Sequence, residues 1–221
     1  HRRRISGSKG CNVRSYRLML ILTLALTLAL VGCGTVGSSA TTPTPAYAGQ
    51  LRGAVFEPPR ALTDFAFPST NDSEFRLSDY RGKIILIYFG YLTCPDFCPT
   101  TLAELQNIYK RLNAPADRVK VVFVSVDPDR DTMDHLTSYI HAFHNDFIGL
   151  RGEGDALQQV MDQFGVVAEK RQLADSPLSY LIDHTASIFL IAPDGRLEAQ
   201  YLYGTDYRDV LHDVQAVLDA A

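Results

Sequence analysis

The sequence predicts an α/β fold, a mixed central sheet flanked by helices, and three observations predict it. Two runs of apolar and β-branched residues, Ile84-Ile85-Leu86-Ile87-Tyr88-Phe89 and Val119 to Val126, are too continuous for half-exposed strands. Such runs fit strands covered on both faces. Helical periodicity follows the first run, with apolar residues at Leu102, Leu105, Ile108 and Leu112. The chain then closes with a hairpin, Ser187 to Ile191 and Leu197 to Tyr203 around Pro193-Asp194-Gly195, and a last amphipathic segment. Strands alternating with helices, ending in a hairpin and a helix, give a layered α/β sandwich.

The junction after the first run narrows this class. Gly90 ends the strand, and a short loop delivers Cys94 and Cys98 just before the helical segment. A redox-type cysteine pair behind the first buried strand predicts a thioredoxin-like fold. Both thiols then sit at or beside a helix N-terminus, whose partial positive charge favours thiolate over thiol.

In chain order, the first 33 residues read as a signal peptide. Arg2, Arg3, Arg4, Lys9, Arg14 and Arg17 precede an uncharged apolar stretch, Leu18 to Val31. That stretch is short for a membrane span, which needs ~20 apolar residues, and a basic region before a short apolar one is the secretory pattern. It ends in Leu30-Val31-Gly32-Cys33, which resembles the bacterial lipobox, where the cysteine is lipidated. An uncleaved anchor is the alternative. Either way the domain is expected to face outward from a bacterial membrane, on its periplasmic or extracellular side. Residues 34–60, rich in Gly, Ser, Thr, Ala and Pro, read as a flexible tether, and 61–221 as the folded domain.

Within that domain, Ala61 to Ser69 and Phe75 to Tyr80 read as short strands or a lead-in hairpin, with Asn71-Asp72-Ser73 as the turn. The first helix is expected to close at Asn113-Ala114-Pro115. After the second buried run, Asp131 or Thr132 can cap a helix reaching about His144. Phe147 to Leu150 reads as a short strand, and Asp155 to Phe164 as a helix stopped by Gly165. Val166 to Glu169 and Ser179 to Ile182 look extended, and Thr205 is the expected cap of the final helix.

Composition excludes some functions. A formal net charge of −4 gives no electrostatic case for nucleic acid binding. Of the 4 cysteines, Cys11 lies in the signal segment and Cys33 is the lipidation candidate, which leaves Cys94 and Cys98 to the domain. A bridge closing so small a loop constrains the unfolded chain little, so chemistry explains the pair better than stability does.

In Cys94-Pro95-Asp96-Phe97-Cys98 the spacing is one residue longer than the common redox motif. If Cys98 begins a helical turn, both sulfurs share one face. Two soft thiolates there can close a disulfide or grip a soft metal such as Cu(I). A structural zinc site wants four ligands, and no second cysteine pair supplies them. His184, just before the Ser187 to Ile191 strand, is a possible third ligand in a sheet that brings this loop back to the cysteine junction. A structural histidine is the competing reading. His141 and His144, one helical turn apart, read as a solvated face, and His135 and His212 have no evident partner. Asp127, Asp129 and Asp131 mimic part of a calcium loop but lack its glycine and distal glutamate, so turn formation and capping explain them.

Three blocks, FGYLTCPDFCP, VSVDPDRDT and DHTASIFLIAPDG, resemble the motifs of the Sco/SenC family in order and spacing, and the likeness runs from about Ala61 to the C-terminus. The resemblance implies a membrane-tethered, thioredoxin-like copper protein that helps assemble the dinuclear copper centre of cytochrome c oxidase. It implies Cys94, Cys98 and His184 as ligands of Cu(I) or Cu(II), and Asp127 as a residue behind the ligands. Leu92-Thr93 departs from the Thr-His that many relatives carry there. The implied partners are the copper-site subunit of the oxidase and a copper donor protein. The function expected is copper delivery; the alternative is a thiol-disulfide reductase that keeps the recipient's cysteines reduced.

Overall fold

The computed structural model describes residues 46–221 except 48, 72, 113–116 and 175–176. Cys11, Cys33, the signal segment, most of the tether and the turn residues Asp72 and Asn113 to Pro115 lie outside the described residues.

Ten strands are described: β1 (Ala54–Ala61), β2 (Ala66–Pro68), β3 (Glu74–Arg76), β4 (Ile84–Gly90), β5 (Val119–Ser125), β6 (Ile148–Arg151), β7 (Ala168–Gln172), β8 (Tyr180–His184), β9 (Ser187–Ile191) and β10 (Arg196–Leu202). Four α-helices join them: α1 (Phe97–Arg111), α2 (Met133–Phe143), α3 (Gly154–Phe164) and α4 (Tyr207–Ala220). Six strands form the central sheet in the order β1-β10-β9-β4-β5-β6. β4 runs parallel to β5, and β5 to β6, whereas β9 meets β4 antiparallel, so the sheet is mixed. The fold is thioredoxin-like.

The continuous apolar run foretold where the centre lies. All seven residues of β4 are buried, because helices cover both faces of the sheet there. On α1 the buried set is Cys98, Thr101, Leu102, Leu105 and Ile108, a helical stripe laid on the sheet. α1 also packs against α4. The closing hairpin forms as expected, with Gly195 at φ 76° in its turn and β9 paired to β10.

Three expectations need correction. Residues 54–60 are not tether, since β1 pairs with β10 from Ala54↔Gln200 to Ala61↔Arg196. The ladder is interrupted between Val55 and Arg60, where Pro58 and Pro59 sit, and prolines on an edge strand hide it from periodicity. The chain entering β1 is also held by side chains. The backbone N–H groups of Arg52 and Gly53 and the Tyr201 hydroxyl all donate to the buried Asp213 carboxylate, at 2.8–2.9 Å. His212, which seemed partnerless, places Nδ1 2.9 Å from the same carboxylate. Finally, Asp206 rather than Thr205 caps α4, accepting from Arg208 N at 2.9 Å.

Candidate metal centre

The centre is built where β4 hands over to α1. Cys94 lies in the loop after Gly90, and Cys98 is the second residue of α1. The Cys98 side chain is fully buried and Cys94 is 7% exposed. A Cβ on Gly90 would stand 2.8 Å from Cys98 Sγ, so the residue ending β4 must be small for the sulfur to occupy its place. The Cys98 N–H donates to Cys94 Sγ at 3.4 Å, using one of the free amides at the helix N-terminus.

The two sulfurs are not equivalent. The S–H of Cys98 hydrogen-bonds to Cys94, and this with contacts to His184 and to the Asp96 and Cys98 amides outweighs burial and lowers Cys94 to about 4. The same hydrogen bond, together with burial, pushes the Cys98 thiol up. The free pair is therefore one thiolate facing a cleft and one thiol beneath it. The expectation that the helix N-terminus favours thiolate holds for Cys94 alone, because a neighbouring thiolate opposes a second charge.

His184 ends β8, which pairs with β7 in a separate two-stranded hairpin. Its Nε2 lies 3.6 Å from Cys98 Sγ, and its Nδ1 lies 3.3 Å from the Thr185 carbonyl oxygen. A carbonyl only accepts, so Nδ1–H faces it and Nε2 is the nitrogen turned towards the sulfurs. The ring stands edge-on to Tyr91 at 5.6 Å, while the Tyr91 hydroxyl accepts from Ile182 N at 3.2 Å. The hairpin is thus fastened beside the cysteine loop.

Cys94, Cys98 and His184 place their three ligand atoms within 4.8 Å of one another, the one such group among the described residues. That is near the ~4 Å spacing of ligands held ~2.3 Å from one ion. Two sulfurs and a neutral imidazole suit a soft ion, Cu(I) above all. A cleft of about 380 Å³, walled by Pro95, Phe97, Leu181 and Asp183, opens onto Cys94 and His184.

Asp127 is not among these atoms. Buried at the end of β5, its carboxylate accepts from Arg130 Nε at 2.5 Å and from the Tyr180 hydroxyl at 2.7 Å. Arg130 also donates to the Leu178 and Tyr180 carbonyls, both at 2.9 Å, and lies over the Tyr180 ring at 3.6 Å. Tyr180 begins β8 and His184 ends it, so Asp127 reaches the centre through the hairpin. The aspartates that mimicked a calcium loop are separated. Asp129 pairs with Lys170, and Asp131 turns inward to Ser125.

Sequence reasoning missed two residues. Asp131 is no cap, since Thr132 takes that role by accepting from His135 N. It accepts instead from Ser125 Oγ at 2.6 Å and from Leu92 N at 3.2 Å, bracing the loop before Cys94, and burial lifts it to about 6. Tyr88 looked like core filling, yet its hydroxyl lies 3.6 Å from Cys98 Sγ. Of the other histidines, His144 accepts from Asp146 N and His141 joins no ligand group.

A family model described as SCO1/SenC matches residues 55–219. A SCO2-like protein of Rickettsia prowazekii is 31% identical over 198 residues, 88% of this chain and 93% of the relative. The solution structure of apo Sco1 from Thermus thermophilus has a TM-score of 0.66 at 38% identity, over 75% of this chain and 96% of that one. The copper-bound structure of ScoI from Bradyrhizobium japonicum has a TM-score of 0.63 at 32% identity, over 70% and 98%. Among the described residues no helix is long and apolar enough to cross a membrane.

Proposed function

The chain belongs to the SCO1/SenC family, and from that premise we propose that it binds one copper ion through Cys94, Cys98 and His184 and delivers it to the dinuclear copper site of cytochrome c oxidase. The observation that carries this reading is the convergence of the three ligand atoms within 4.8 Å, with Cys94 and His184 lining an open cleft. Copper is cargo here, so the site must hold it and also give it up. Ligands at the end of a cleft permit exchange, because a recipient's thiolates can enter beside Cys94 and replace its ligands one at a time. Asp127 supports the site from behind by fixing Arg130 and Tyr180. Cys33, if lipidated, holds the domain on the outward face of the membrane, where a copper donor and the oxidase subunit are reached without leaving the surface.

Gel filtration of the chain loaded with copper tests the reading. The reduced protein should retain about one copper and the oxidised protein almost none, since a disulfide removes both thiolate donors. Equal retention in the two states rules out a site built on these sulfurs. Cys33→Ser should free the protein from the membrane fraction with its copper affinity unchanged.

A second reading, thiol-disulfide reductase, is favoured by the split pair, a Cys94 thiolate at the cleft and a Cys98 thiol beneath it. His184→Ala separates the two. It removes a copper ligand while leaving a dithiol that still cycles with a small-molecule reductant. Delivery requires that this variant fail to restore oxidase assembly in a strain lacking the protein. Full restoration would leave the reductase reading standing.

A further inference from the structure

We infer that Tyr88 is a positioning residue for Cys98, its hydroxyl donating to the Cys98 sulfur a hydrogen bond that strengthens when that sulfur binds copper. The inference rests on the copper reading above. Binding breaks the Cys98 S–H bond, forms a sulfur–copper bond and passes the proton to water at the cleft. The sulfur left behind is anionic in character and wholly cut off from solvent. A buried anion without donors is costly. His184 cannot serve as a donor in that state, because its Nδ1 faces the Thr185 carbonyl and its Nε2, as a copper ligand, would carry no hydrogen. The Tyr88 hydroxyl faces Cys98 Sγ at 3.6 Å, beside the Tyr91 backbone N–H.

The setting of Tyr88 fits a fixed donor. It stands in the middle of β4 and is fully buried, with its hydroxyl directed at the sulfur. The buried Thr101 hydroxyl, one turn beyond Cys98 on α1, meets the Tyr88 oxygen. Gly90 leaves the space in which the sulfur is held, with the Tyr88 ring edge as one wall of that space.

The test compares the full chain with Tyr88→Phe, which keeps the ring and removes only the hydroxyl. Competition with a Cu(I) chelator should show about tenfold weaker Cu(I) binding, equivalent to about 1.4 kcal/mol. The sulfur-to-copper charge-transfer band of the Cu(II) form should move to lower energy, since a sulfur without its hydrogen bond is a better electron donor. The melting temperature of the copper-free protein reports folding separately. Should Tyr88→Phe not fold, Thr101→Val is read in its place and should move the band the same way by less. An unchanged affinity and band in a folded Tyr88→Phe chain, or an unmoved band in Thr101→Val read as substitute, overturns the inference. Wild-type protein that takes up no copper instead overturns the reading beneath it.

Discussion

The Tyr180 hydroxyl donates to Asp127 Oδ1 at 2.7 Å, and this bond joins the loop after a central strand to the start of β8, the hairpin strand that presents His184. The same carboxylate holds Arg130, which in turn grips the carbonyls of Leu178 and Tyr180. Asp127→Ala strands a largely buried guanidinium and should lower stability by about 3 kcal/mol. Tyr180→Phe removes one hydrogen bond and should cost about 1 kcal/mol. Thermal unfolding of the two variants checks the order. Both should also weaken copper binding with all three ligands present, and an affinity equal to wild type in either would show that the hairpin holds its place without them.

Cys94 should react as a thiolate at neutral pH. Its lowered value of about 4 means that its alkylation rate stays level from pH 8 to pH 6 and falls only towards pH 4, where an ordinary thiol would already be slow throughout. The largest cause is the hydrogen bond from Cys98, so Cys98→Ala should move the profile to higher pH. A profile that stays put would place the cause elsewhere, in the helix N-terminus or His184.

Asp131 predicts a pH dependence of stability. Burial raises its carboxyl from 3.8 to about 6, so the folded state prefers the protonated form. Its contribution is fully present below pH ~4 and is lost as pH rises through 6, to the extent of roughly 2–3 kcal/mol. Asp131→Asn keeps an acceptor for Leu92 N and offers a donor to Ser125 Oγ without the charge. Relative to wild type it should be neutral near pH 4 and more stable above pH 6, as followed by melting temperature across that range. A difference independent of pH would show that another group is responsible.

Gly90→Ala should damage the centre before it damages the sheet. The added methyl would meet Cys98 Sγ at 2.8 Å and the Phe123 ring at 2.9 Å. Overpacking of this kind costs about 1–3 kcal/mol, and the sulfur is the neighbour able to move. Copper affinity should therefore fall more, in proportion, than melting temperature does. Unchanged copper binding would mean that Cys98 tolerates displacement.

What the sequence revealed follows from how local each signal is. The apolar runs of β4 and β5, the stripe on α1 and the turn of the last hairpin are written in consecutive residues, and each element formed where expected. His184 was a candidate from the expected return of its loop and was singled out by motif, because its meeting with Cys98 depends on a hairpin outside the main sheet. Asp131 and Tyr88 left no mark at all. An aspartate in a turn and a tyrosine in a buried strand look ordinary until the fold shows what their oxygen atoms face. β1 escaped for the opposite reason, since its prolines and uneven burial carry the composition of a linker.

The capture of Arg52 and Gly53 by Asp213 has a mechanical meaning. Any pull transmitted along the chain from its N-terminal side arrives at those backbone amides and at the edge ladder between β1 and β10. Asp213 grips from α4, so the load spreads to a helix as well as to a strand. Across the sheet, β10 and β9 lie between β1 and β4, the strand whose end positions the sulfurs. A load entering there meets one rim of the sheet, with two strands between it and the one that positions the sulfurs.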